Sequence, residues 1–192
     1  MKQDRRVLRT RTALQQAYLR LIENYEEHDI TVSMITEEAD INRATFYAHF
    51  SNKEDFLEEM LYELLEGFEK EMLAVFKGQK QIDISTVTPT TEVMFQYIED
   101  HKSAFYALSK GHKDFQQRME KLFHYLFTEK IYIETESPLG KVNYDIFIHY
   151  QTKATLGLIY YWLRSNFKYS KAYMMEQLTI LSNTTIKYLI KK

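Results

Sequence analysis

The spacing of apolar residues limits this chain more than any other feature. Leu57, Met60, Leu61, Leu64, Leu65, Phe68, Met72 and Val75 recur three and four positions apart, which gathers them on one face of a long α-helix. The same spacing returns along the whole sequence. Leu14, Ala17, Tyr18, Leu21 and Ile22 mark a first helix over about 5–25, and later helices fall at about 90–101, 103–110, 114–133, 143–165 and 170–191. No long run alternates with the period of two that a half-buried strand requires. Five glycines and two prolines in 192 residues supply few breakers. The spacing predicts an all-α protein.

Composition then removes several classes. The chain has no cysteine, so disulfide frameworks, thiolate nucleophiles and cysteine metal sites are excluded. A hydrophobic fraction of 45% with a formal charge of −2 argues against disorder. The longest apolar stretch, Ala154 to Leu163, is ten residues, about half of what a bilayer requires. The basic N-terminus has no apolar run behind it, unlike a signal peptide. A soluble, cytoplasmic protein with no membrane partner is the expectation.

A net charge near zero would argue against nucleic acid as a partner, but its distribution does not. Residues 1–22 carry +5, residues 23–40 carry seven acids and no base, and residues 54–71 carry −7. Six of the eight arginines lie in the first 43 residues, whereas sixteen of the seventeen lysines lie at or after position 53. Arginine offers a planar fork of donors suited to phosphates and guanine edges. Arg5, Arg6 and Arg9 read equally well as an arm along DNA and as solubilising charge at a helix end. Glu58, Glu59, Glu63, Glu66 and Glu69 read as the solvated face of the long helix.

Two short pieces precede that helix. Thr31 is placed to cap a helix over 32–39, Asp40-Ile41-Asn42 forms a turn, and Asn42 is placed to cap a third helix over 43–49. Ser51 and Glu54 have the spacing of a capping box at the start of the long helix. Helix, tight turn and short helix is the arrangement that sets a second helix in the DNA major groove. Ile35, Ala39, Ile41, Phe46 and Phe50 are spaced to pack the pair onto the first helix. Ala44 and Ala48 are small enough to let the backbone approach base edges, and Arg43 at the helix start suits a guanine. Thr45, Tyr47 and His49 offer polar arms at phosphate distance. Lys53 sits where free backbone amides already favour an anion. Taken singly, Tyr47 reads as a half-buried aromatic and His49 as a packing histidine.

The run Ala44-Thr45-Phe46-Tyr47-Ala48-His49-Phe50, followed by Asn52-Lys53-Glu54, resembles the DNA-binding signature of the TetR family of bacterial transcriptional regulators. Asp40 departs from the glycine usual in that turn; aspartate tolerates the left-handed conformation moderately well. The resemblance implies that Arg43, Ala44 and Tyr47 lie near base edges. It places Thr45, Tyr47, His49 and Lys53 at phosphates, with Ala48 on the same surface and Thr31 capping a helix end that faces a phosphate. It implies a three-helix helix-turn-helix domain over 1–52 and a helical ligand and dimerisation domain over 53–192. His101 to Leu108, followed by the helix with Gly157 to Leu163, resembles one form of that second domain, in which the last two helices, here 143–165 and 170–191, build the homodimer. Its partners would be a palindromic double-stranded DNA operator and a small-molecule ligand.

The reading is therefore a homodimeric repressor released by a ligand, with activation also open. The alternative is an all-α receptor or interaction module regulated by a partner protein. Nothing points to an enzyme: nucleophile elbow, phosphate-binding glycine loop and cofactor motif are all missing, so no catalytic residue and no cofactor are expected. His101, His112, His124 and His149 lack metal-ligand spacing, and no ligand-binding residue can be assigned.

Overall fold

The computed structural model describes residues 5–77, 89–131 and 142–183. Among them nine α-helices follow one another: α1 (Arg5–Leu21), α2 (Val32–Glu38), α3 (Arg43–Tyr47), α4 (Lys53–Ala74), α5 (Pro89–Asp100), α6 (Lys102–Gly111), α7 (Phe115–Tyr125), α8 (Tyr144–Arg164) and α9 (Lys171–Asn183). A 3-10 turn at Glu27–Asp29 links α1 to α2, and a π turn at Leu126–Lys130 ends α7. No strand occurs among the described residues. The expected linker from Gly78, the turn at 136–140 and the helix beyond 183 lie outside them.

The described residues form two compact units. One holds the chain up to Glu66 together with Lys102–Gln116; the other holds Gly67–His101 and the chain from Gln117 onward. The expected boundary at residues 52 and 53 falls inside the first unit.

The first unit is built around α1. Leu14, Ala17, Tyr18 and Leu21 are buried along one side of it, with Ile35, Phe46, Phe50, Phe56 and Leu57 buried in the same unit. Each fully buried Phe or Leu contributes about 1.5–3 kcal/mol. Tyr18 meets Phe56 edge-on at 5.9 Å. Its hydroxyl is buried without a hydrogen-bond partner, and burial, with the Glu27 carboxylate adding, pushes its pKa up. The close approach of α6 depends on Gly111, where a Cβ would come within 2.4 Å of that hydroxyl oxygen.

Three sequence expectations fail here for identifiable reasons. The first helix stops at Leu21, because the amides of Asn24 and Tyr25 both fold back to the Leu21 carbonyl. The capping box at α4 is shifted by one residue: Asn52 Oδ1 accepts from the Asp55 amide at 2.7 Å and Asp55 Oδ2 accepts from the Ser51 amide at 2.8 Å. Nor is the acidic face of α4 simply solvated. Glu59 and Glu63 pair with Arg11, Gln15 donates to Glu63, and His112 Nε2 lies 3.0 Å from Glu58. The acids there balance the charge of Arg11 on α1 and hold the α6–α7 corner through His112.

The second unit packs aromatic rings. Phe95 and Trp162 meet at 5.4 Å, Trp162 and Phe167 at 4.9 Å, and Phe68 lies against both Tyr97 and Phe123 at 5.6 Å. Helix α8 ends sharply because Asn166 and Phe167 both take left-handed φ angles, 52° and 55°. The Phe167 amide then reaches back to the Trp162 carbonyl, while the Trp162 indole donates to the Tyr169 carbonyl at 2.8 Å. Helix α7 is shorter than the 114–133 expected, since the π turn takes over at Leu126 and Ile131 is extended.

Candidate nucleic-acid interface

The recognition segment is assembled by local hydrogen bonds. Thr31 Oγ1 accepts from the Met34 amide, which caps α2 and leaves the hydroxyl proton free to donate outward. The end of α2 is closed by a left-handed Asp40 at φ 52°. The Ile41 amide bonds to the Thr36 carbonyl and the Asp40 amide to the Glu37 carbonyl, the paired closure of a Schellman motif. Asn42 then caps α3, its Oδ1 accepting from the Ala44 amide at 2.8 Å. Cap, left-handed residue and cap together fix the turn between Thr31 and Asn42.

Phe46 anchors α3. It is fully buried and its ring lies 5.3 Å from Phe50 and 5.9 Å from Phe56. With Phe46 inward, helical geometry turns Ala44 and Tyr47 outward, followed by Ala48 in the next turn, while Arg43 stands exposed at the start of the helix. All four are exposed, and Tyr47 remains 48% exposed despite its size. Arg43 donates to the Tyr47 hydroxyl at 3.3 Å and its guanidinium lies over the Tyr47 ring at 5.7 Å. The two side chains, one turn apart, thereby hold each other upright. Thr45 and His49 are half-buried at the flanks. Helix α3 ends at Tyr47, short of the expected 49, with Ala48 and His49 held in a turn by bonds to Ala44 and Phe46.

Lys53 departs from the expected surface. Its ammonium donates to the carbonyls of Glu27 at 3.0 Å and Ile30 at 2.9 Å and pairs with the Glu27 carboxylate at 2.8 Å. An ammonium has three protons, and all three have internal acceptors, with the side chain only 16% exposed. Lys53 fastens the 3-10 turn to the start of α4. No sequence signal exposes this, because its partners lie 23 and 26 positions away.

The arginine-rich N-terminus also divides. Arg11 is tied to Glu59 and Glu63 and lies over the Phe50 ring; Arg20 clamps Glu38 at the end of α2 through its side chain and backbone carbonyl. Both are structural. Arg5, Arg6 and Arg9 are exposed. The described residues hold no group of three or more His, Asp or Glu side chains that could bind a metal, and no helix among them is long and apolar enough to cross a membrane.

A sequence profile of bacterial regulatory proteins of the TetR family matches residues 19–60, and a profile of a transcriptional regulator C-terminal region matches residues 85–184. The chain belongs to the TetR family. It is similar to the uncharacterized HTH-type transcriptional regulator YxbF of Bacillus subtilis (strain 168), 22% identical over 155 residues, which are 80% of this chain and 39% of YxbF. The chain thus spans about two fifths of that relative's length. Among solved structures, the dihydroxyacetone kinase operon activator DhaS superposes with a TM-score of 0.59 at 19% identity, over 90% of this chain and 93% of DhaS. PfmR of Thermus thermophilus, a TetR family transcriptional regulator, gives 0.60 at 13% identity over 88% and 95%. The fatty acid degradation regulator FadR of Bacillus halodurans gives 0.57 at 14% over 94% and 96%. At these identities the structures show a shared fold. The protein is a TetR family transcriptional regulator with an N-terminal DNA-binding region, and its family is one of regulators, not enzymes.

Proposed function

We propose that this TetR family protein is a cytoplasmic, homodimeric repressor that reads a palindromic operator through α3 and leaves it when a ligand binds. The observation that carries this is the outward face of α3, with Arg43, Ala44, Tyr47 and Ala48 exposed above the buried Phe46. Arg43 takes a guanine edge, Ala44 and Ala48 let the helix sit close to the bases, and Tyr47 spans base edge and phosphate. Thr45, His49 and the free hydroxyl proton of Thr31 hold the sugar-phosphate backbone. Lys53 supports the surface from behind. A homodimer through α8 and α9 is supported by the apolar side chains these helices leave exposed, Ile146, Tyr150 and Tyr161 on one and Tyr173, Ile180 and Leu181 on the other. A two-fold dimer sets its two recognition helices about one DNA turn apart, ~34–36 Å. The ligand releases DNA by binding the non-DNA state more tightly.

The test is Tyr47→Ala in a gel-shift titration against an operator selected from random DNA. Affinity falls at least about tenfold while sedimentation still reports a dimer, and unchanged affinity overturns the assignment. Wild-type binding weakens steeply with salt, by about a thousandfold between 50 and 200 mM for six or more neutralised phosphates.

A second reading, activation together with a partner protein, is favoured by the similarity to DhaS, whose name describes it as an operon activator. Deleting the gene separates the two, since loss of a repressor raises transcription of the operator-linked gene and loss of an activator lowers it.

A further inference from the structure

Two exposed side chains of α3 are already joined before any DNA arrives. Arg43 is the first residue of the helix and stands exposed, and no carboxylate among the described residues pairs with it. Its Nη2 donates to the Tyr47 hydroxyl at 3.3 Å, and its guanidinium lies over the Tyr47 ring at 5.7 Å. That ring is fixed from behind. It meets the fully buried Phe46 edge-on at 5.5 Å, and Phe46 packs in turn on Phe50 and Phe56. The placement of the Arg43 fork is thus tied, through Tyr47, to the core of its own unit.

Counting protons shows what the pair can still do. A guanidinium has five N–H donors; the one on Tyr47 leaves four, and the O6 and N7 atoms of a guanine take two. A phenol accepts and donates at once. Because the Tyr47 oxygen accepts from Arg43, its proton is left for an outside acceptor, and the DNA backbone presents phosphate oxygens. A long arginine standing alone would lose its rotamer freedom on reaching a base. One held over a ring has lost part of it beforehand.

We propose that Tyr47 is a positioning residue for base reading: its hydroxyl donates to a phosphate while accepting from Arg43, and so sets the Arg43 fork on one guanine in each half-site. This rests on the reading of α3 as the DNA-facing helix. It adds the base that is read and the residue that makes the reading selective. The phosphate contact and the base contact are then one device, since the atom that finds the backbone also orients the fork.

The test uses the full chain and an operator it has selected from random DNA. Each guanine is replaced in turn by adenine, with thymine opposite, and both DNAs are titrated with wild type, Arg43→Ala and Tyr47→Phe at one salt concentration. At one guanine of each half-site the wild type prefers the unaltered DNA by at least about fivefold, and Arg43→Ala shows no preference there. Tyr47→Phe keeps the ring against Phe46 and under Arg43 but removes the hydroxyl, and its preference falls to about twofold or less. A tyrosine that touched phosphate alone, or only filled space, would weaken both DNAs equally. An unchanged preference in Tyr47→Phe therefore overturns the coupling and leaves α3 as the reading helix. Guanine preferences that all survive Arg43→Ala overturn Arg43 as the reader. A wild-type protein that selects no sequence overturns the DNA-facing reading as well.

Discussion

Replacing Lys53 by methionine keeps the apolar stem of the side chain and removes an ammonium held by three internal acceptors. Hydrogen bonds to a charged group contribute about 1.5–3 kcal/mol each, and desolvation of the ammonium offsets part of that sum. The variant also strands the Glu27 carboxylate, itself only 25% exposed. The expected loss is about 2–4 kcal/mol. With about 1–3 kcal/mol lost per molar urea, the unfolding midpoint of the helix-turn-helix unit falls by about 1–2 M. A lysine acting only at a phosphate behaves differently. Its loss would leave the midpoint unchanged and reduce the slope of log affinity against log salt by about 0.9. Urea unfolding and a salt series of operator titrations therefore decide between a fastener and a DNA contact. A Lys53→Met protein that keeps its midpoint and loses salt slope would refute the reasoning.

The second arm guards against a variant too damaged to bind anything. Glu27→Gln leaves Lys53 in place with both carbonyl acceptors and converts an ion pair into a neutral hydrogen bond. The fastening role predicts a loss of about 1 kcal/mol and an unchanged salt slope. In the double variant the two losses fall short of additivity, because each removes the same pair.

Two further outcomes follow from backbone and ionisation. Asp40→Gly relieves a side chain held at φ 52° but frees the unfolded chain, so the net effect is stabilising by up to about 1 kcal/mol, and thermal melting at equal concentration checks it. Burial, with the Glu71 carboxylate adding, pushes the Tyr97 pKa up to about 12 from 10, and burial raises Tyr18 in the same direction. Both phenols ionise more easily once unfolded, and the stability linked to Tyr97 is complete below about pH 10 and lost as pH rises through about 12. Tyr97→Phe flattens that alkaline decline, and an equally steep decline in the variant would show that other groups carry it.

The legible parts of this protein are those settled within a few residues. Thr31 and Asn42 sit at caps because their short oxygens reach amides two or three positions on, and Asp40 is left-handed because the turn after α2 demands it. Phe46 is inward because it recurs with Phe50 at helical spacing, and that places Ala44 and Tyr47 outward without knowledge of any other helix. What stays hidden depends on which distant faces meet. Arg11 and Arg20 look, in sequence, like Arg5 and Arg9, yet α1 turns Arg11 onto the acids of α4 and Arg20 onto the end of α2. Lys53 looks like a phosphate ligand until the carbonyls of Glu27 and Ile30 arrive against it. The charge skew of the sequence thus has two causes that composition cannot separate. Some of the basic side chains balance α4 and hold the unit together, and others face outward. Neutralising Arg11 therefore lowers the stability of the unit, whereas neutralising the exposed Arg9 leaves it unchanged, and urea unfolding of the two variants checks the difference.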